Sequence, residues 1–324
     1  MNRSLPWSLL FALAFVACRR PEKPWPLPPV SANRFLQAHT GPEYDTIVFL
    51  RLETGELHRV LRTAWDLELR PNPTQGVYEV WLNAAMYAFA VPFADSSAWQ
   101  RLQAPPSEGW RCDLADTAAL APLAPGQRQY FLLDRDRAET FYKTPDQRYR
   151  KIALSWEGNQ LQVSAYTLTG EPTGSVVLPL PTQPAHFSLE GGLRLVAVQP
   201  PWTPDLVLTR YIHPFYDQPE QFRWYPVLGV LSGAQTEVAI VSAAEKSFED
   251  FTFAEAGARS YTRRRDAIGY DWKRYDFNTG TYTLDFSRYF VLRSGPTTYY
   301  KLRFTDFYDT QGRKGCVQIE YSPL

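Results

Sequence analysis

The chain has little of what reactive sites are usually built from: its 324 residues include three cysteines, two methionines and four histidines. It also lacks GxSxG, HExxH, a glycine-rich phosphate loop and a CxxC pair. These absences exclude the common signatures of hydrolases, metalloproteases, nucleotide-binding proteins and thiol oxidoreductases. Paired carboxylates such as Asp134 and Asp136 occur, but acidic pairs in loops are mostly solvated. An enzyme is therefore the least supported class.

A charge of one sign is also missing, because 34 basic and 34 acidic residues balance to a formal charge of zero. No long-range field then attracts nucleic acid or an anionic membrane. The short basic run from Arg263 to Arg265 predicts a solvated loop. With 44% hydrophobic and 15% aromatic residues, the chain is long enough to bury a sizeable core, so we expect a globular protein.

The first eighteen residues have the pattern of an export signal. Arg3 precedes a nine-residue apolar run, Leu9 to Ala17, which is too short to span a bilayer as a stable helix. Phe15-Val16-Ala17-Cys18 resembles the lipobox of bacterial lipoproteins, although Phe15 departs from the usual leucine. We predict a lipoprotein signal peptide over 1–18 with lipidation at Cys18; the alternative is an ordinary signal peptide that happens to contain a cysteine.

A proline-rich segment follows, with five prolines in the eleven residues from Arg19 to Pro29. Such a composition favours extended polyproline II, so we predict a semi-rigid tether over 19–43. Beyond Cys18 the chain has only Cys112 and Cys316. Export permits a disulfide between them, and the sequence leaves that pairing open, with free thiols favoured.

From Tyr44 onward the apolar pattern is that of strands. In the stretch from Ile268 to Tyr321, apolar residues recur at every second position, and glycines or prolines separate the runs. Turns at 278–280, 294–296 and 311–312 predict an antiparallel meander. No segment shows a sustained helical period with caps. The fold class is therefore all-β and antiparallel, with little helix.

An internal repeat is indicated by landmarks that occur twice in the same order. The paired landmarks are Leu52-Glu53-Thr54-Gly55 with Leu189-Glu190-Gly191-Gly192, Trp65-Asp66 with Trp202 and Asp205, Gly109-Trp110 with Asp271-Trp272, Tyr130-Phe131 with Tyr289-Phe290, and Tyr142-Lys143 with Tyr300-Lys301. One insertion between Asp205 and Tyr289 explains the change in spacing. We predict two related β units, 44–185 and 186–324; chance recurrence in an aromatic-rich chain is the alternative.

The repeated landmarks point to architecture and not to chemistry. A tryptophan beside an aspartate at the start of a strand is suited to covering one end of a core, with the carboxylate accepting backbone N–H bonds. A Tyr-Lys pair such as Tyr300-Lys301 is expected to place the phenol inward and the ammonium outward.

Several aromatic motifs follow one another in order: WDLEL at 65–69, WTPDLVLTRY at 202–211, AIGYDWKRYDF at 267–277, YYKLRFTDFYDTQGRKG at 299–315 and the closing IEY. Together they resemble the HmuY-like family of bacterial outer-membrane lipoproteins. The resemblance covers most of the mature chain. It implies an antiparallel all-β fold on a lipid anchor and, for the founding members, capture of haem and its hand-over to a TonB-dependent receptor. Many members have no demonstrated ligand.

Haem binding of that kind would need axial ligands from both faces of the iron, a pair of His or of Met. Beyond the initiator the chain has one methionine, Met86, so a Met pair is excluded. His213, followed by a proline and flanked by aromatic residues, is the better candidate for haem binding and metal coordination, with His186 as the second. His39 falls in the predicted tether and His58 in a polar hairpin. No family motif marks these positions.

Two hypotheses of different classes therefore remain. The first is an outer-membrane lipoprotein that binds haem, and the second is a non-catalytic lipoprotein that presents a β surface to a protein or glycan partner without a cofactor. Either is lipid-anchored at the cell surface or on the periplasmic side of the outer membrane. Arg19 and Arg20 follow the lipidated cysteine, where surface-exported relatives tend to carry acidic residues, so the periplasmic side stays open.

Overall fold

The computed structural model describes residues 33–215 and 223–324, which form twenty strands and only three short α-helices. The helices are α1 (Ser96–Arg101), α2 (Pro145–Arg148) and α3 (Phe253–Gly257). The all-β prediction is confirmed. The predicted signal peptide, Cys18 and the tether up to residue 32 lie outside the described residues. Among the described ones, no helix is both long and apolar enough to cross a membrane.

Sheet A holds the end of the chain and has the order β1-β20-β19-β18-β15. Its strands are β1 (Arg34–His39), β15 (Glu237–Ser242), β18 (Arg288–Arg293), β19 (Tyr299–Tyr308) and β20 (Lys314–Pro323). β18, β19 and β20 pair antiparallel in succession, as the alternating pattern of the tail predicts. The meander is therefore found where two of the three predicted turns place it.

Strand β1 lies within the segment predicted to be a tether, so the described end of that segment belongs to the folded domain. β1 pairs with β20 from Arg34 opposite Tyr321 to His39 opposite Cys316. Ala38 is fully buried and Leu36 packs against the core, whereas Phe35 is exposed. The strand forms because these apolar residues alternate with polar ones beside the open edge of β20.

Sheet B has the order β10-β9-β8-β7-β6. Its strands are β6 (Phe89–Phe93), β7 (Arg128–Asp134), β8 (Tyr149–Glu157), β9 (Gln160–Tyr166) and β10 (Pro172–Pro179). All four pairings are antiparallel, and a bulge between Pro172 and Gly174 interrupts the register of β10. Sheet B thus has the same number of strands as sheet A.

Two four-stranded sheets complete the domain. Sheet C has the order β12-β11-β4-β5, formed by β4 (Leu67–Asn72), β5 (Val77–Leu82), β11 (Ala185–Ser188) and β12 (Arg194–Val196). Sheet D has the order β14-β13-β2-β3, formed by β2 (Thr46–Arg51), β3 (Glu56–Leu61), β13 (Leu206–Phe215) and β14 (Arg223–Ser232). A separate hairpin joins β16 (Lys273–Asp276) to β17 (Thr281–Leu284).

The four sheets pack as two pairs. One core lies between sheets A and D and includes Leu50, Leu208 and Phe304. The other lies between sheets B and C and includes Leu69, Phe131 and Leu161. Each sheet contributes one apolar face to its partner, which is the packing expected of a β-sandwich.

The strand orders of the two pairs match. Strands β1, β2 and β3 hold in sheets A and D the places that β10, β11 and β12 hold in sheets B and C. The extra hairpin β16–β17 lies between Asp205 and Tyr289, where the spacing predicts an insertion. An internal duplication predicts this correspondence. Duplication itself stays a prediction, because the pairings describe the arrangement of strands and not their origin.

The Trp-Asp landmarks sit at matching corners. Asp66 Oδ2 accepts a hydrogen bond from the Leu189 backbone N–H at 2.7 Å, and Asp205 Oδ2 accepts one from Leu52 N–H at 2.7 Å. Each aspartate therefore ties the start of one strand to the end of a strand more than a hundred residues away in sequence. The structural role predicted for these carboxylates agrees with these contacts.

The expectation for the Tyr300-Lys301 pair is wrong for the lysine. Its ammonium is buried and donates to the carbonyl oxygens of Phe248 at 2.6 Å and Glu249 at 3.1 Å. The outer face of β19 is covered by the loop that carries those carbonyls, which strand periodicity alone does not reveal. The ammonium consequently holds a loop in place instead of facing solvent.

Candidate functional site

A cavity of about 800 Å³ is lined by residues of both sheet C and sheet D, and we call it the central cavity. Aromatic side chains from both sheets and from two connecting segments line it: Phe49, Trp65, Trp81, Trp202 and Tyr211. Its volume falls within the range of roughly 300–1,000 Å³ typical of sites for small molecules and cofactors. Flat aromatic walls of this kind favour a flat apolar ligand.

One side of the central cavity is charged. Arg70 forms a two-pronged ion pair with Glu68 through Nε to Oε1 at 3.0 Å and Nη2 to Oε2 at 3.1 Å, and its guanidinium lies 4.4 Å from the centre of the Trp81 ring. Burial alone would raise the pKa of Glu68, but the charge of Arg70 and its hydrogen bonds outweigh burial and lower it. Glu68 is therefore an ionised, neutralised carboxylate at neutral pH.

His186 lies beside this ion pair. Its Nε2 is 3.6 Å from Glu68 Oε2, the ring hydrogen-bonds the backbone of Pro184, and the edge of Trp65 stands 5.2 Å away between ring centres. Burial lowers the pKa of His186, so the imidazole is neutral at neutral pH. Its Nε2 thus lies beside the Glu68 carboxylate, just beyond hydrogen-bond distance.

Asp113 is a second carboxylate at the cavity wall. It accepts backbone N–H bonds from Leu82 at 2.5 Å and Ala119 at 2.7 Å. Burial raises the pKa of Asp113 to about 7 despite these two donors. Its charge near neutral pH is therefore smaller than that of an ordinary aspartate.

The part of the central cavity formed by sheet D is mostly apolar. Leu67 pairs with Phe187 in sheet C, and Leu206 pairs with Leu50 in sheet D. The positions that correspond to Glu68, Arg70 and His186 are consequently Val207, Thr209 and Phe49. The cavity thus presents a charged wall on sheet C and, on sheet D, a mostly apolar wall that includes Thr209 and Arg210.

The structure does not place the two histidines selected from the sequence in one site. His186 lines the central cavity, whereas His213 is absent from its described lining and lies near the end of β13. There it packs among Phe215 at 5.0 Å, Tyr270 at 4.9 Å and Tyr211 at 6.4 Å between ring centres. Burial lowers the pKa of His213, and its Nδ1 has no hydrogen-bond partner in the described part of the chain.

The remaining histidines and both thiols have local roles. His58 Nε2 contacts the Val198 carbonyl at 3.1 Å, and His39 Nε2 lies 3.7 Å from Cys316 Sγ. Cys112 and Cys316 are both buried and free, so no disulfide joins them. Within the described ranges, no group of three or more His, Cys, Asp or Glu side chains is arranged to hold a metal ion.

The sequence did contain a signal for the charged wall. Within WDLEL and the following Arg70, the residues Glu68 and Arg70 alternate with Leu67 and Leu69, which places both charges on one face of the strand. Asp113 and Arg265 carry no comparable signal. Their proximity to Glu68 depends on the packing of distant segments.

The fold and the cavity define an all-β protein with a ligand-sized space between two sheets. The HmuY protein family matches residues 43–321, which is most of the sequence, and the chain belongs to that family. A single match runs across both predicted units, so a tandem of two family domains is not confirmed. No curated protein matches the chain.

Solved structures with similarity to the chain include three from different bacteria. One from Bacteroides vulgatus, described as HmuY-like and haem-binding, is 12% identical, covers 91% of this chain and 94% of its own, and has a TM-score of 0.27. The apo HmuY analogue of Tannerella forsythia is 7% identical, covers 90% of this chain and 95% of its own, and has a TM-score of 0.26. Apo PinO of Porphyromonas gingivitis is 12% identical, covers 90% of this chain and 97% of its own, and has a TM-score of 0.26. TM-scores this low carry no structural argument.

Proposed function

We propose that this protein binds haem or a closely related tetrapyrrole in the central cavity. The observation that carries the proposal is a cavity of about 800 Å³ with aromatic walls, in a chain of the HmuY family. A porphyrin is flat, apolar over its faces and anionic at one edge. One charged wall and one mostly apolar wall suit a molecule of that shape.

The setting proposed for this activity is an outer-membrane lipoprotein anchored through Cys18. Haem would be captured outside the cell or in the periplasm and passed on to a TonB-dependent receptor. The apolar run ending at Cys18 and the family membership support this setting. The function is one of binding and delivery and not of catalysis.

Coordination of the haem iron by His213 and His186 stays the prediction made from the sequence. The fit of these residues is incomplete: His186 is engaged by Glu68 and Pro184, and His213 lies outside the described cavity lining. Tyr211 lines the cavity, but burial raises the pKa of its phenol, which disfavours the phenolate that would bind iron. The aromatic walls of the cavity suit the porphyrin ring better than these three side chains suit its iron.

A titration with hemin tests the proposal. The full chain, purified in detergent, is expected to bind one hemin with a sharp shift of the Soret band and quenching of tryptophan fluorescence. If His213 or His186 coordinates iron, His213→Ala or His186→Ala will abolish the band shift. Trp202→Ala will weaken binding if the ligand lies in the central cavity. An unshifted spectrum with unquenched fluorescence at micromolar hemin would rule out haem as the ligand.

A cofactor-free interaction role is the second candidate, and the hairpin β16–β17 favours it. Phe277 at its tip is 90% exposed, and Phe286, just beyond β17, is 66% exposed. Two exposed aromatic side chains at one hairpin would suit contact with a partner if they form a contiguous apolar patch. Loss of partner capture with Phe277→Ser, in a protein that ignores hemin, would favour this role.

A further inference from the structure

Three consecutive arginines differ in what they contact. Arg263 pairs with Glu237, and Arg264 pairs with Asp266 at 3.0 Å. The Arg265 side chain turns toward the central cavity, where the charges of Arg70 and Glu68 act on it. The solvated loop predicted for this run therefore holds for the first two arginines and fails for the third.

Arg265 has no carboxylate within ion-pair distance among the residues that the structure describes. Its Nε donates to the Ser232 carbonyl at 3.3 Å, and its backbone N–H donates to Asp116. The two terminal nitrogens make no hydrogen bond within the described part of the chain. Burial lowers the pKa of Arg265, and the nearby charge of Arg70 acts in the same direction.

The carboxylates of Glu68 and Asp116 oppose the effect of burial on Arg265, but neither forms an ion pair with its side chain. Glu68 is already neutralised by the two-pronged bond from Arg70, and the charge of Asp113 is diminished near neutral pH. A half-buried guanidinium without an anion is costly, and its planar fork is suited to a carboxylate that binds through both oxygens. The charged wall thus lacks one anion that a ligand can supply.

Metal coordination has less support at the same wall. The His186 ring hydrogen-bonds Pro184, and its Nε2 faces Glu68 at 3.6 Å. His186 is also the only histidine in the described lining of the cavity, so no second imidazole is placed there to complete an axial pair.

We propose that the central cavity selects its ligand by a free carboxylate, which Arg265 binds, and not by a metal ion. The inference rests on the proposed function and narrows its ligand class. The ligands are flat tetrapyrroles with at least one ionised carboxylate, and the iron is dispensable. Metal-free protoporphyrin IX should then occupy the cavity about as well as hemin.

The test compares three ligands by quenching of tryptophan fluorescence in the full chain, in one detergent: hemin, protoporphyrin IX and protoporphyrin IX dimethyl ester. The two acids are expected to bind within a few-fold of each other. Loss of a charge-assisted bond should make the ester about ten-fold weaker or more. Arg265→Gln should weaken both acids by a similar factor and leave the ester unchanged, because the two changes remove the same contact.

Arg263→Gln is the matched control, since Arg263 is the exposed neighbour and its side chain is 89% exposed. Arg265→Lys keeps the charge but not the planar guanidinium. Its affinity for the two acids should therefore lie between those of the wild type and Arg265→Gln. Circular dichroism confirms that each variant is folded. Equal binding of acid and ester overturns the inference, as does hemin binding without protoporphyrin binding. Absence of binding by all three ligands overturns the proposed function as well.

Discussion

Asp66 and Asp205 occupy corresponding positions, yet their surroundings differ in one charge. Arg135, almost fully buried, donates to Asp66 Oδ1 at 2.7 Å and Oδ2 at 3.1 Å. No ion pair involving Asp205 is present among the described residues. A buried ion pair is often neutral relative to an apolar replacement, but removal of one partner leaves the other charge unpaired.

We therefore predict that Asp66→Ala destabilises the fold more than Asp205→Ala. The first should cost about 3–5 kcal/mol because the buried Arg135 then keeps only the exposed carboxylate of Glu190 as an anionic partner. The second should cost about 1–3 kcal/mol because it leaves only the Leu52 N–H without its acceptor. Denaturant unfolding of the two variants measures both values. Equal losses would mean that the Arg135 contact contributes nothing.

Lys273 links stability to pH. Its amine donates to the Leu228 carbonyl at 2.6 Å and lies 4.6 Å from the centre of the Trp272 ring. Burial lowers the pKa of Lys273 to about 7, whereas an unfolded chain keeps an ordinary lysine pKa near 10.5. Between these values the unfolded state binds more protons, so stability rises with pH.

The wild-type free energy of unfolding should thus increase between pH 7 and about pH 9, by roughly 1–3 kcal/mol from this group. Lys273→Met should remove that increase, whatever its effect on absolute stability. Lys143→Met, at an exposed position, should retain the wild-type slope. Chemical denaturation at several pH values provides the comparison. A slope that survives in Lys273→Met would assign the effect to another group.

Among the elements, strand β1 is one that the sequence did not predict. The strands of the tail were predictable because their alternation is long and regular, as in the run from Tyr300 to Phe304. β1 was missed because it follows a proline-rich segment and has only two inward residues, Leu36 and Ala38. Its pairing with β20 joins the first and last strands of the described residues, and no local pattern encodes such a contact.

Neighbouring side chains on β1 provide a test of its place in the fold. Leu36→Ala should destabilise the protein by about 1–3 kcal/mol, since Leu36 packs partly buried against the core of sheets A and D. Phe35→Ala should change stability by less than about 0.5 kcal/mol, since Phe35 is 69% exposed. Thermal unfolding distinguishes the two variants. If neither substitution changes the stability, this segment belongs to the tether and not to the folded domain.

At the scale of the molecule, the sequence placed Glu68 and Arg70 on one face of a strand, but it did not reveal which other charged residues join them at the cavity. Glu68, His186 and Arg265 are far apart in the chain, and they meet because β4 pairs with β11 while the segment bearing Arg265 is held along β14 of sheet D. The repeat landmarks were visible, because each recurs in order. The sequence did not reveal that β1–β3 complete sheets A and D while β10–β12 complete sheets B and C. Either choice of partners would give the same order of strands along the chain.

The distribution of strands between the two pairs of sheets predicts which fragment folds alone. Sheets B and C are formed entirely by strands β4 to β12, so residues 65–196 contain both faces of one core together with Asp66 and Arg135. Residues 44–185, the unit inferred from the landmarks, instead carry β2 and β3 without their partner β13 and lack β12 and most of β11.

The fragment 65–196 should therefore unfold cooperatively, with dispersed amide resonances. The fragment 44–185 should be aggregated or only partly structured, because the edges of β2 and β4 are left open. Heteronuclear NMR and calorimetry of the two fragments, prepared side by side, give the answer. If 44–185 proves the more stable, the pairing of sheet B with sheet C is not the unit on which the stability of this half depends.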